Sequence, residues 1–188
     1  MIITVTGKVG NGKSTVSKML KEYLPGSHPI RSDIIGIRLL SSAKVKRKIL
    51  NAFGKSILQN NIINRKKLAQ KAFANKESLI RLNSISHPLM IRKIMAITRK
   101  NKISIIDAAL FNELKLDKIS DVVVLVKARD IHVKKRVPDA IYSRRRFQAE
   151  PKKADFIIWN NDTVRALGTK VKKVAMQIKK LMENAGKK

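Results

Sequence analysis

Gly7-Lys8-Val9-Gly10-Asn11-Gly12-Lys13-Ser14 is the stretch that decides how this chain is read. It fits the spacing G-x-x-x-x-G-K-[ST], which chance also produces, so its surroundings have to settle the matter. Ahead of it runs Ile2-Ile3-Thr4-Val5-Thr6, apolar and β-branched, the composition of a strand. Behind it Val16, Met19, Leu20 and Tyr23 fall at i, i+3, i+4 and i+7, one face of a helix. In a strand–loop–helix context, glycines let backbone N–H groups turn inward around phosphate oxygens, and the helix N-terminus adds partial positive charge. Lys13 then reaches the β- and γ-phosphates of ATP, and the Ser14 hydroxyl ligates Mg²⁺. Gly7, Gly10, Asn11, Gly12 and Thr15 complete the expected cradle. A plain strand-to-helix turn would give no packing reason for a Lys-Ser pair at its end.

Further along the chain, Pro25 and Gly26 stop the first helix, and a short extended piece around Ile30 precedes a second helical region. Ser41 to Lys100 reads as helical with breaks. Asn64 is placed to cap a helix carrying Leu68, Ala69, Ala72 and Phe73. Pro88 reads as a boundary or as the first turn of the next helix. Ile103-Ser104-Ile105-Ile106-Asp107 and Val122 to Val126 are unbroken apolar runs, as in strands covered on both faces. Phe156 to Trp159 is a last short strand, with Trp159 expected in the core. Val164, Leu167, Val171, Val174, Ile178 and Leu181 form the apolar face of a closing helix. Alternating strands and helices point to an α/β fold with a mainly parallel sheet. Asp107, ending an apolar strand, is placed either near the Mg²⁺ or as a cap. Ala108 follows it rather than Glu, which disfavours an ATPase that polarises water and favours transfer to a substrate hydroxyl.

The 188 residues suffice for one domain with a real core. With 44% hydrophobic and 29% charged residues the composition is globular rather than disordered. The absence of cysteine excludes disulfides and Cys-ligated metals and fits a reducing compartment. No apolar run nears the roughly 18 residues of a membrane span. No basic-then-apolar leader opens the chain, so it reads as cytoplasmic with no membrane partner. Forty-two basic against 13 acidic residues give +29. Nucleic acid is the obvious partner for such charge. Yet the basic residues are spread along the chain, and 4% aromatics are too few for a base-stacking platform. Lys, Ile and Asn share A/T-rich codons, so the charge is read as compositional habit, with no specific nucleic-acid partner. Nothing in the sequence marks an oligomeric state.

Taken in order, the residues resemble the dephospho-coenzyme A kinase family over nearly the whole chain. Thr6-Gly7 to Ser14-Thr15 resembles its T-G-G-x-G-S-G-K-S-T loop, and Ser32-Asp33 the second half of its D-x-D element. Phe53-Gly54, Ile62-Ile63-Asn64-Arg65-Lys66-Lys67-Leu68 and Phe73 resemble its F-G…I-N-R-x-x-L…F stretch. Leu82-Asn83-Ser84-Ile85-Ser86-His87-Pro88-Leu89 matches L-N-x-I-x-H-P-L and is the most family-specific segment. Asp107 to Glu113 is similar to D-V-P-L-L-F-E, and Ala154 to Asn160 to A-D-x-V-I-x-N. The chain departs from the pattern at Lys8 and Asn11, which replace a Gly and a Ser, and at Arg31, which replaces the first Asp of D-x-D. It departs again at Ala109, Phe111 and Asn112, and in a shortened stretch from Lys134 to Lys153 that keeps Arg144 and Gln148 at R-x-x-x-Q spacing.

The resemblance implies a single P-loop kinase domain of the P-loop NTPase type, a parallel sheet flanked by helices. Its core spans residues 1–30, 91–130 and 154–188, with a helical coenzyme A-binding insertion about 31–90 and a short lid about 131–153. It implies phosphorylation of the ribose 3′-hydroxyl of dephospho-coenzyme A by ATP, the last step of coenzyme A synthesis. Asp33 then accepts a hydrogen bond from that hydroxyl, with a helix cap as its plainer reading. Arg65 is a candidate for a substrate phosphate. Arg136 and Arg144 are candidate lid arginines, the choice among Arg144, Arg145 and Arg146 being open. Asn160 faces the adenine or forms a turn. His87 belongs to the substrate side, as a packing residue rather than a base. Asp107 belongs with the substrate site as well as with the metal. Two other classes remain. A nucleoside or nucleoside monophosphate kinase would not need the Leu82 to Leu89 segment. A nucleic-acid-binding P-loop ATPase would want a Glu beside Asp107.

Overall fold

The structure, a computed structural model, describes residues 1–185, and the side chains of Arg144 and Ala185 lie outside the described set. In chain order the elements begin β1 (Ile2–Thr6), α1 (Lys13–Tyr23), β2 (Ser27–Arg31), α2 (Ser32–Leu39) and α3 (Ala43–Phe53). Next come β3 (Leu58–Gln59), β4 (Ile62–Ile63), α4 (Arg65–Ala72), α5 (Lys76–Thr98) and β5 (Ile103–Asp107). The chain closes with β6 (Val122–Lys127), α6 (Asp130–Lys134), α7 (Asp139–Tyr142), β7 (Phe156–Trp159) and α8 (Val164–Ala185). Two compact units result: residues 1–32 with the described residues from 97 on, and residues 33–96.

The first unit is built on a five-stranded sheet in the order β2-β5-β1-β6-β7, with every neighbouring pair parallel. Parallel strands need crossovers, and the crossovers lay helices on the sheet, which is why β1, β5 and β6 are apolar without alternation. Ile3, Val5, Ile105, Val124 and Val126 are fully buried there, against Val16 and Leu20 of α1 and Val171 and Ile178 of α8. On α8 the apolar face holds at its middle only: Val164 is 69% and Leu181 45% exposed. Because the strands are parallel, their C-terminal ends share one edge. Val5 pairs with Asp107, Thr6 with Leu125 and Lys127 with Trp159. Ligands of such sheets bind outside that edge.

The second unit is helical around an apolar cluster of Val45, Ile49, Phe53, Ile57, Ile63, Leu68 and Ala72. Its two-stranded ribbon β3–β4 turns through Asn60 and Asn61, both at positive φ. Asn64 caps α4, its side chain accepting from the N–H of Lys66 and Lys67.

Two expectations are corrected. Pro88 is no boundary: α5 runs through it. Proline removes one ladder bond, from position 88 to the Ser84 carbonyl. Pro88 itself is exposed. Leu82, Ile85 and Leu89 pack on the unit's core and keep the helix continuous. Trp159 is not a core residue: it is 47% exposed on edge strand β7, where the Lys127 ammonium stands 5.8 Å from its ring centroid. Strand alternation turns Ile158 inward and so turns Trp159 outward.

Candidate active site

The loop from Gly7 to Gly12 joins β1 to α1 at the C-terminal edge of the sheet. Its glycines are required by space. Gly7 (φ 136°) lies so close to β6 that an added Cβ would stand 2.2 Å from the Val126 carbonyl oxygen. Gly12 (φ 93°) would put one 2.2 Å from the Asn160 amide nitrogen. Neither position tolerates an L side chain. Between them Asn11 is 1% exposed, and its Nδ2 donates to the Val126 carbonyl at 2.7 Å. The Asn11 N–H donates to the Lys8 carbonyl, closing a turn inside the loop.

Lys13 opens α1 and is buried, its ammonium donating to the Lys8 carbonyl at 3.3 Å. Ser14 follows, and its hydroxyl donates to Asp107 Oδ2 at 2.5 Å. Asp107, 7% exposed at the end of β5, is thereby set beside the loop, and its backbone carbonyl accepts from the Ser32 hydroxyl at 2.9 Å. Thr15 is exposed on α1. A hydroxyl, a carboxylate and an ammonium stand together where a helix N-terminus opens, an arrangement suited to a polyphosphate with a hard cation.

Asn160, buried just after β7, donates from Nδ2 to the Asn11 carbonyl at 2.9 Å, and its own carbonyl accepts from Arg136 at 3.0 Å. Arg145 donates to the Val9 carbonyl and to Asn11 Oδ1, and Gln148 Oε1 accepts the Val9 N–H at 2.7 Å. Glu113, beyond β5, has its carboxyl pushed above the ordinary value by burial, a backbone hydrogen bond partly opposing the rise. Its Oε2 is buried with no hydrogen-bond partner among the described residues.

Of the residues singled out from sequence, the sheet unit brings together Gly7, Gly10, Asn11, Gly12, Lys13, Ser14, Asp107, Arg136 and Asn160. The Arg144 side chain lies outside the described residues. In the helical unit Asp33 is exposed in the first turn of α2, Arg65 is exposed at the start of α4, and His87 is half-buried in α5 just before Pro88. Sequence reasoning noted Gln148 only by its spacing, without a role, and did not choose Arg145. The R-x-x-x-Q spacing was the available signal for the first, and nothing local marked the second.

A family model for dephospho-CoA kinase matches residues 1–165 of this chain. The chain belongs to the dephospho-CoA kinase family. A dephospho-CoA kinase of Fusobacterium nucleatum subsp. nucleatum is 34% identical over 187 residues, covering 92% of this chain and 96% of the relative. That of Aquifex aeolicus is 30% identical over 187 residues, covering 92% and 94%. Among solved structures, TT1252 from Thermus thermophilus superposes with a TM-score of 0.79 at 21% identity, over 94% of this chain and 96% of that one. Dephospho-CoA kinase from Campylobacter jejuni gives 0.60 at 24% identity with the same coverage. Membership in the dephospho-CoA kinase family makes this a nucleotide-binding P-loop kinase, and the parallel five-stranded sheet flanked by helices agrees with that fold.

Proposed function

We propose that this chain transfers the γ-phosphoryl group of ATP to the ribose 3′-hydroxyl of dephospho-coenzyme A, giving coenzyme A and ADP. The observation that carries the reading is the juxtaposition of Lys13, Ser14 and Asp107, with the Ser14–Asp107 hydrogen bond at 2.5 Å, in a chain whose family is dephospho-CoA kinase. Phosphoryl transfer passes through a loose transition state, so the protein positions groups and neutralises charge. The loop N–H groups hold the phosphates, and Lys13 answers the charge on the transferring group. Ser14 and Asp107 offer adjacent oxygen donors, and this set fits Mg²⁺. Bound there, Mg²⁺ supplies charge neutralisation on the phosphate oxygens. Asp33 takes the proton as the substrate oxygen bonds to phosphorus and the bond to ADP breaks. Arg65 and His87 serve the acceptor side, Arg136 and Arg144 the nucleotide side, with residues 33–96 as the acceptor-binding insertion and 131–153 as a lid.

The test is turnover of the purified protein with Mg-ATP and a panel of acceptors. Dephospho-coenzyme A should be converted, with the new phosphate on the 3′-oxygen by phosphorus NMR. Good turnover of a nucleoside monophosphate and none of dephospho-coenzyme A would replace this reading by the nucleotide-kinase one. Among the described residues, no helix is long and apolar enough to cross a membrane.

A further inference from the structure

Asn11 is buried in the phosphate loop, and its amide has two ends to satisfy. Nδ2 donates to the Val126 carbonyl of β6 at 2.7 Å. That fixes the amide's orientation and leaves Oδ1 as an acceptor at the other end, where a missing donor would cost the full desolvation of the group. Arg145 supplies the donor. Its Nη1 lies 2.7 Å from Asn11 Oδ1 and 2.6 Å from the Val9 carbonyl, while Nη2 pairs with Asp130 at 3.0 Å. The Arg145 side chain is 12% exposed and that of Asp130 64%. The guanidinium is therefore withdrawn from water against the loop, and its counter-charge sits in solvent, where it is screened. Three residues on, Gln148 Oε1 takes the Val9 N–H at 2.7 Å. Both polar groups of the Val9 backbone thus go to the segment from Arg145 to Gln148.

We propose that Arg145 is a positioning residue of the phosphate loop: it holds the turn from Val9 to Asn11 against strand β6 and acts on phosphoryl transfer only through that turn. The inference rests on the reading of this loop as the ATP site. A loop tethered at Val9 and Asn11 presents its N–H groups before nucleotide arrives. An untethered loop must be ordered by the nucleotide itself. That cost falls equally on the ground state and the transition state, so it appears in binding rather than in the chemical step. Asn11 also stands where the family resemblance places a Ser. A hydroxyl, with one donor on a shorter stem, does not span from the Val126 carbonyl to a guanidinium as a carboxamide does. Asn11 and Arg145 form a matched pair.

The experiment compares Arg145→Ala, Arg145→Lys, Asn11→Ala and the double alanine variant. It measures ATP affinity by calorimetry and steady-state kinetics with dephospho-coenzyme A. Arg145→Ala should weaken ATP binding and raise its KM about tenfold, with kcat within about threefold of the parent. Arg145→Lys should recover part of the loss, because an ammonium still donates toward the loop acceptors that Nη1 serves but lacks the second nitrogen that pairs with Asp130. The losses from Asn11→Ala and Arg145→Ala should be less than additive in the double variant, since the two share the contact at Asn11 Oδ1 while each keeps one of its own, Asn11 to Val126 and Arg145 to Val9. A kcat loss of about a hundredfold at unchanged KM would put Arg145 on the transferring phosphoryl group and overturn the proposal. Additive losses, or a lysine variant no better than alanine, would overturn it too. Should Arg145→Ala not fold, Arg145→Lys and Asn11→Ala carry the test by the same split of KM against kcat. A parent protein that binds no ATP sinks both this inference and the proposed function. A parent that binds ATP, with Arg145→Ala binding it equally well, sinks this inference alone.

Discussion

Around the phosphate loop buried polar groups answer one another, Asn11 to Val126, Asn160 to Asn11 and Ser32 to Asp107, and the exposed Ser14 also reaches Asp107. In the helical unit of residues 33–96 the buried groups are apolar, from Val45 to Ala72, and polar contacts such as the Asn64 cap and the Lys46–Asn61 pair lie toward water. Hydrogen bonds fix direction and distance. Apolar contact fixes volume and face, and tolerates exchange of side chains. The difference teaches where chemistry is readable from geometry. On the loop each functional group is held by a named partner. Roles in the helical unit rest on the order of its motifs.

The comparison breaks first, if it breaks, at Lys13. Lys13→Ala should lower kcat/KM about 10³-fold, as loss of a preorganised charge at the transferring group does, with melting within a few degrees of the parent. A folded variant with near-normal turnover would remove the phosphate site from the polar half of the molecule.

Asp33 tests the other half. Asp33→Asn keeps the shape but takes no proton, so kcat should fall at least about 10²-fold, with ATP affinity little changed. If instead kcat holds and the protein melts several degrees lower, Asp33 is a cap of α2 and nothing more.

A smaller effect sharpens the contrast. Ile49 is fully buried in the helical unit, so Ile49→Ala should cost about 2–5 kcal/mol in urea unfolding. Its KM for dephospho-coenzyme A should rise while its ATP affinity stays. Equal loss of both would show that the two halves do not divide the work.

The smallest effect concerns Glu113. Burial raises its carboxyl pKa, so ionisation costs stability in the folded state and the cost grows as pH rises through that value. Glu113→Gln should melt about a degree or two higher than the parent at neutral pH, with the gap closing in acid, where both side chains are neutral. A gap that widens toward low pH would reverse the assignment.

How far the sequence could be read follows the same division. Strands β1, β5 and β6 are legible because burial on both faces writes an unbroken apolar run. Strand β2 is only a trace around Ile30, since it lies at the sheet edge and contains His28 and Pro29. The ribbon β3–β4 has two residues a side, too few for any period to show. Pro88 misled because a local rule was outvoted by packing, and Trp159 because size suggested burial where an edge strand turned it out. Within the site, Gly7, Gly12, Lys13 and Ser14 are legible because backbone geometry demands those residue types at that spacing. Gln148 shows only as part of the R-x-x-x-Q spacing and Arg145 not at all, since they meet Val9 across 139 and 136 residues of chain and no local pattern encodes such a meeting.

Pro88 has one more consequence. Helix α5 is 23 residues of uninterrupted helical backbone, but the Ser84 carbonyl has no N–H four residues on to receive. Amide exchange with deuterated solvent follows the ladder rather than the backbone trace, because each protected hydrogen waits for its own bond to open. At Pro88 the ladder has a missing rung. What looks like one rod in space is therefore two segments in time, one upstream and one downstream of the proline, each with its own exchange rate.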